Sequence, residues 1–218
     1  MKKLLLITPF LFTVIAARAD VIVTQKMESA AINGDVTMKI KGDKGRVDMP
    51  AGPAGAMTMI IDGASGEIAT VIHSQKMVMK TTSAQMKAAA EQAKKLTGIT
   101  TPEKPKATGK TEKVGEWNTE IYEANMGGQV ARIWVAKDFP NADKIKAEMM
   151  KISKSMGQTS AIDNATMDVP GMPVKTEISA QGGKMTMTVT KAVEQAVDAK
   201  EFEIPKDYQQ MTLPGAPK

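Results

Sequence analysis

The sequence predicts an α+β domain in which an antiparallel sheet of about ten strands packs on two helices. Three observations carry this. Short runs alternate apolar and polar residues with the period of two that gives a strand one wet face. Gly- and Asn-bearing turns separate consecutive runs by only a few residues, so sequence neighbours pair as hairpins rather than through long crossovers. Only two segments show helical spacing, which lays two helices on one face of such a sheet.

The elements follow in order. Asp20 to Ala31 is the opening strand, turned at Asn33-Gly34. Val36, Met38 and Ile40 interleave with Thr37, Lys39 and Lys41, and Gly42-Asp43-Lys44-Gly45 forms the next turn because glycine tolerates positive φ. Arg46 to Met49, Met57 to Asp62, Glu67 to His73 and Met77 to Lys80 continue the pattern, which makes the first half a six-stranded meander. Thr82 and Gln85 then have capping-box spacing, and Met86, Ala89, Ala90, Ala93 and Leu96 form an apolar stripe up to Gly98. Thr100 to Lys110, with Pro102 and Pro105, reads as an exposed connector. Trp117 to Asn125 and Gln129 to Lys137 flank Met126-Gly127-Gly128 as two more strands. Phe139-Pro140-Asn141 opens a second helix whose inner face is Ile145, Met149, Ile152 and Met156. Gln158 to Pro173 is a loop, Val174 to Ala180 pairs with Lys184 to Thr190 across Gln181-Gly182-Gly183, and Phe202, Ile204 and Tyr208 make a last packed segment.

The first 19 residues have a different grammar. Lys2 and Lys3 give a charged start, Leu4 to Ala16 a short apolar run, and Ala17-Arg18-Ala19 an A-x-A site ahead of Asp20. That is the pattern of a secretory signal peptide cleaved between Ala19 and Asp20. The run falls short of the roughly 20 residues a membrane-spanning helix needs. The expectation is a periplasmic or secreted protein, not integral to a membrane, with one domain over 20–211 and a flexible tail over 212–218.

The mature chain carries 26 Lys and Arg against 24 Asp and Glu, since Lys2, Lys3 and Arg18 leave with the signal. A net charge this small, unclustered, argues against nucleic acid as partner. There is no cysteine, which excludes disulfides, thiol catalysis, thiolate metal ligation and a lipid anchor on cysteine; packing alone must hold the domain. His73 is the single histidine and reads as an ordinary strand residue, because a His-based metal site or triad lacks its partners. GDKG, GASG and MGGQ are turns between strands, not phosphate cradles. Asn164-Ala165-Thr166 is a short glycosylation sequon. No cofactor and no enzymatic chemistry are implied.

Methionine is the anomaly: 18 in the chain, against 4 Phe, 2 Tyr and 2 Trp. Met57 and Met59, Met77 and Met79, and Met185 and Met187 lie two apart, so each pair shares a strand face. Three readings stand: methionine as core filler in place of aromatics, as the lining of an adaptable apolar cavity, or as soft thioether ligands for Cu(I).

Several segments together resemble an uncharacterised family of exported bacterial proteins: GDKGRVDMP, MTMIIDGASGEIATVIHSQKMVMK, TGKTEKVGEWNTEIYEANMGGQVARIWVAKDFPN, PGMPVKTE and KEFEIPKDYQQM. More distantly the chain is similar to the outer-membrane lipoprotein carrier (LolA-like) superfamily, through the Arg-led strand at Arg46, the strand carrying IIDGASGE and the Phe-x-x-Pro of Phe202 to Pro205. The resemblance implies a curved half-barrel over helices with an apolar cavity for acyl chains, gated by an arginine at the position of Arg46. On that basis the expected ligand-binding residues are Met38, Ile40, Arg46, Val47, Met49, Met57, Met59, Met77 and Met79. The expected function is binding or carrying a lipid or other hydrophobic small molecule. The alternative is a structural or sensory envelope protein with a filled core and an envelope protein as partner; methionine-based copper handling stands third.

Overall fold

The computed structural model describes residues 20–97, 103–125, 129–156, 166–180 and 183–212. In chain order they form β1 (Val21–Glu28), β2 (Asn33–Lys41), β3 (Lys44–Gly52), β4 (Gly55–Asp62), β5 (Glu67–Ile72), β6 (Met77–Thr82), α1 (Ser83–Thr97), β7 (Lys106–Val114), β8 (Trp117–Asn125), β9 (Val130–Ala136), α2 (Ala142–Ser155), β10 (Met172–Ala180), β11 (Gly183–Glu194) and β12 (Gln209–Thr212). All the strands join one curved, open sheet in the order β12-β6-β5-β4-β3-β2-β1-β11-β10-β9-β8-β7. Every neighbour is antiparallel except β12, which runs parallel to β6. The chain therefore draws one meander over β1–β6 and a second over β7–β11, and the pairing of β1 with β11 joins them.

The described strands number twelve rather than about ten. One addition is β7, which takes up part of the stretch read as a connector: Lys106–Val114 pairs with β8 at the sheet edge and is exposed along most of its length. Its lysines blunt an open edge, as charged side chains do where a strand has no outer neighbour. The other is β12, four residues whose main chain extends β6. His73 also moves: it opens a one-turn 3-10 helix over His73–Gln75 instead of ending a strand.

The helices start where the sequence places them. At α1 the Thr82 backbone N–H donates to Gln85 Oε1 (2.9 Å) and the Gln85 N–H to Thr82 Oγ1 (3.2 Å), the reciprocal bonds of a capping box. Of its expected stripe, Met86 packs against the main core while Ala89 and Ala90 are exposed; the side chains of Ala93 and Leu96 lie outside the described residues. In α2 the expected inner face holds throughout: Ile145, Met149, Ile152 and Met156 are all buried. Its last turn sits over the β2–β3 turn, where Gly45 leaves room for Ile152: a Cβ on Gly45 would lie 2.9 Å from Ile152 Cγ2. Lys151 Nζ donates to the Gly42 carbonyl (2.7 Å) and pairs with Asp43, and Lys144 pairs with Glu194, so both ends of α2 are tied to the sheet.

Each face of the β1–β6 meander has its own cover. Val21, Val23, Val36, Ile40, Val47, Ile61 and Ile68 form the main core with α2. The opposite face carries Ile60, Ala69, Val71 and Val78, which pack against Val197 and Phe202 of the C-terminal segment, with Ile204 and Tyr208 beside them. Among the described residues no helix is long and apolar enough to cross a membrane.

Candidate functional site

Strand register arranges the α2-facing side of β2–β6 in rows running across the strands. The row nearest α2 is Ile40–Gly45–Ile61–Ile68–Thr81. Its three isoleucines are at most 1% exposed. Two residues further along the strands the row reads Met38–Val47–Met59–Thr70–Met79, extended at the edge by Met211 on β12. The third row is Met49–Met57–Ile72–Met77. The six methionines of these two rows are each partly exposed, and Met211 is 49% exposed. The same strand face thus changes from β-branched, sealed residues under the helix to flexible, part-exposed thioethers away from it.

Eight of the nine expected ligand-binding residues share this face, in two states. Ile40 and Val47 belong to the buried core, at 1% and 9% exposure. Met38, Met49, Met57, Met59, Met77 and Met79 form the part-exposed field. Arg46 stands apart, since it alternates with Gly45 and Val47 and so points to the opposite face of β3. Three surface cavities of about 590, 660 and 410 Å³ lie elsewhere, toward β7–β11 and the start of α2; residues such as Glu112, Lys113, Lys137 and Lys175 line them, and none carries a methionine.

Around Arg46 the structure assembles a polar array that sequence reasoning missed. Arg46 Nε donates to both Asp48 oxygens (3.0 and 2.8 Å), Nη2 lies 2.8 Å from Asp48 Oδ1, and Nη1 donates to the Glu201 carbonyl at 2.8 Å. Thr58, directly across from Asp48 and buried, donates its hydroxyl to Asp48 Oδ1 at 2.7 Å. With that proton committed, Thr58 Oγ1 accepts from His73 Nε2 at 2.9 Å. The other ring nitrogen of His73, Nδ1, shares a hydrogen bond with the Tyr208 hydroxyl, 3.1 Å away. Lys39 pairs with the Glu201 carboxylate at 3.0 Å. Burial pushes the Asp48 carboxyl up, but the hydrogen bonds from Arg46 and Thr58 and the charges of Arg46 and Lys39 outweigh it, holding its pKa below the usual carboxylate value. The bond to Asp48 raises Arg46 in turn.

This array is a clamp on the C-terminal segment. Arg46 grips the Glu201 carbonyl and His73 the Tyr208 hydroxyl, on either side of buried Phe202 and half-buried Ile204. Its proton order is the reverse of a nucleophile relay: a serine-type hydroxyl must donate to the imidazole, whereas Thr58 donates to the carboxylate. Asp20 anchors the near end of the same segment, its carboxylate accepting from Lys41 Nζ and the Val197 N–H, both at 2.8 Å. The sequence signal for this array was the Arg46-x-Asp48 spacing, which puts both groups on one strand face; its partners are 10 to 160 residues away and carry no local mark.

Among solved structures, the fold is similar to PNGF-II (TM-score 0.42, 11% identity, 89% of this chain and 31% of that one). It is also similar to the Mycobacterium tuberculosis lipoprotein LppX (TM-score 0.42, 12% identity, 83% and 88%) and to MucB in complex with MucA(peri) (TM-score 0.40, 10% identity, 88% and 56%). This chain spans about a third of the length of PNGF-II. By sequence, it matched no curated protein. Residues 21–208, nearly all of the described fold, match the family described as Domain of unknown function (DUF4412), and the chain belongs to that family.

Proposed function

We propose that this is an exported, non-enzymatic protein that binds a lipid or other hydrophobic ligand on the methionine-bearing sheet face. The observation that carries the reading is the pair of outer rows, six part-exposed methionines on one continuous strand face. Covering a thioether side chain contributes up to about 1.5–3 kcal/mol, and methionine's three rotatable bonds let the surface fit chains of varied shape. Core filling accounts for part of their placement, since Met38, Met49 and Met59 pack against the main core, while Met57, Met77 and Met79 lie beyond that cluster. Export rests on the charged start, short apolar run and A-x-A site ahead of Asp20.

A fluorescent acyl probe tests the reading. Replacing Met57 and Met59 with Lys puts two ammonium groups where the ligand would lie, and their desolvation should abolish binding of dansyl-undecanoic acid. Replacing both with Leu keeps the face apolar, and volume-conserving swaps cost under about 1.5 kcal/mol, so binding should survive. Circular dichroism checks that both variants fold. If the folded wild type binds no probe, the filled-core alternative replaces this reading: the protein then uses the face against an envelope protein partner.

A further inference from the structure

We infer that the two outer methionine rows are a site of reversible oxidation, and that oxidation switches the face from apolar-ligand binding to a wetted, non-binding state. This rests on the binding role proposed above. The geometry that points to it is the segregation of the methionines by access. Met57 and Met59 on β4 and Met77 and Met79 on β6 are partly exposed, in the same two rows on either side of β5, whereas Met149, Met156 and Met172 are buried at 7%, 9% and 0% exposure. Leucine or isoleucine would give an equally apolar face with no redox chemistry, and β2, β4 and β5 do carry isoleucine in the row nearest α2.

The co-reactant is a peroxide. A thioether lone pair attacks one peroxide oxygen, the O–O bond breaks, and an S–O bond forms. Sulfur is oxidised by two electrons to the sulfoxide, and the departing oxygen is reduced and leaves as water after taking up a proton. A sulfoxide reductase restores the thioether: two thiols give up two electrons to become a disulfide, and the sulfoxide oxygen leaves as water. Each sulfoxide adds a strong acceptor oxygen to a surface where a bound acyl chain offers no donor, so a ligand could cover it only by stripping its water. On this face every row-two and row-three methionine converts toward the same polar outcome, which makes the effect cumulative.

The test uses the purified full chain, dilute hydrogen peroxide and dansyl-undecanoic acid. Peptide mass mapping should find the added oxygen on Met57, Met59, Met77 and Met79, and on exposed Met211, before Met149 or Met172. Probe affinity should fall about tenfold or more while circular dichroism stays unchanged, and methionine sulfoxide reductase should restore it. In the variant carrying Met57→Leu, Met59→Leu, Met77→Leu and Met79→Leu, peroxide should lower probe affinity by a smaller factor than in the wild type, each protein compared with its own unoxidised form. Oxidation that strikes Met149 and Met172 as fast as the outer rows overturns the site. Equal probe binding by oxidised and unoxidised wild type overturns the switch alone. A wild type that binds no probe before peroxide overturns the ligand role and the switch with it, leaving the mapping to judge the site.

Discussion

Replacing Arg46 with methionine tests whether the polar array holds the C-terminal segment in place. In the native protein the guanidinium serves both oxygens of Asp48 and the Glu201 carbonyl, with side-chain exposures of 22% for Arg46 and 33% for Asp48. A fully exposed ion pair contributes at most about 1 kcal/mol, and breaking a fully buried one costs about 3–5 kcal/mol. The observed exposures fall between, and two acceptors lose a donor, so the loss should be about 2 kcal/mol. For a chain of this size that is about 4–8 °C in Tm, read by calorimetry or circular dichroism at neutral pH. In an Asp48→Asn background the same replacement leaves no orphaned carboxylate, and its cost should fall by about half. Acid should do likewise. The Asp48 pKa is lower folded than unfolded, so its contribution is full above about 3.9 and is lost as pH falls through the lowered folded value. The Tm deficit of Arg46→Met should therefore shrink on acidification below about pH 4. A deficit under about 1 °C at neutral pH, or additive costs in the double variant, would refute the clamp.

Three further outcomes follow from packing and sequence. Gly45→Ala drives a methyl into Ile152 and should cost about 1–3 kcal/mol, with Ile152→Val in the same chain recovering part of the lost Tm; no recovery would mean that α2 does not rest on Gly45. Thermal unfolding should give the same midpoint with and without chelator or reductant, because the chain has no cysteine and one histidine; a large fall with chelator would bring metal back into consideration. N-terminal sequencing of protein extracted from the cell envelope should begin at Asp20, and a chain found in the cytoplasm with Met1 intact would remove the basis for export.

The first meander was legible where a strand keeps a period of two between apolar and polar residues: β2 with Val36, Met38 and Ile40 is the plain case. The capping box at Thr82 and Gln85 and the inner face of α2 were legible for the same reason, a local pattern matching a local structure. β7 was not, since an edge strand exposed on most positions has no apolar period to read. β12 was not, because a four-residue parallel addition is held by main-chain pairing with β6, which any sequence can supply. At the candidate site, alternation put the methionines on one face, yet it could not say which of them α2 would seal. The alternation of β3 sets Arg46 on the face opposite Gly45 and Val47, since neighbours one apart on a strand cannot share a face.

The two faces of the β1–β6 meander divide the labour of the fold. One strand face is sealed by α2 on the isoleucine row, with Met38, Met49 and Met59 of the rows beyond packed against the same core; the other is sealed by the C-terminal segment through Phe202 and the Arg46 array. Because β4 and β5 bury Ile60, Ala69 and Val71 on the second face, those strands remain well packed even where Met57 and Met59 are not fully covered. Among the described residues the outer rows keep a partly exposed apolar surface, which is costly to leave in water, and that is the physical reason to look for what covers it.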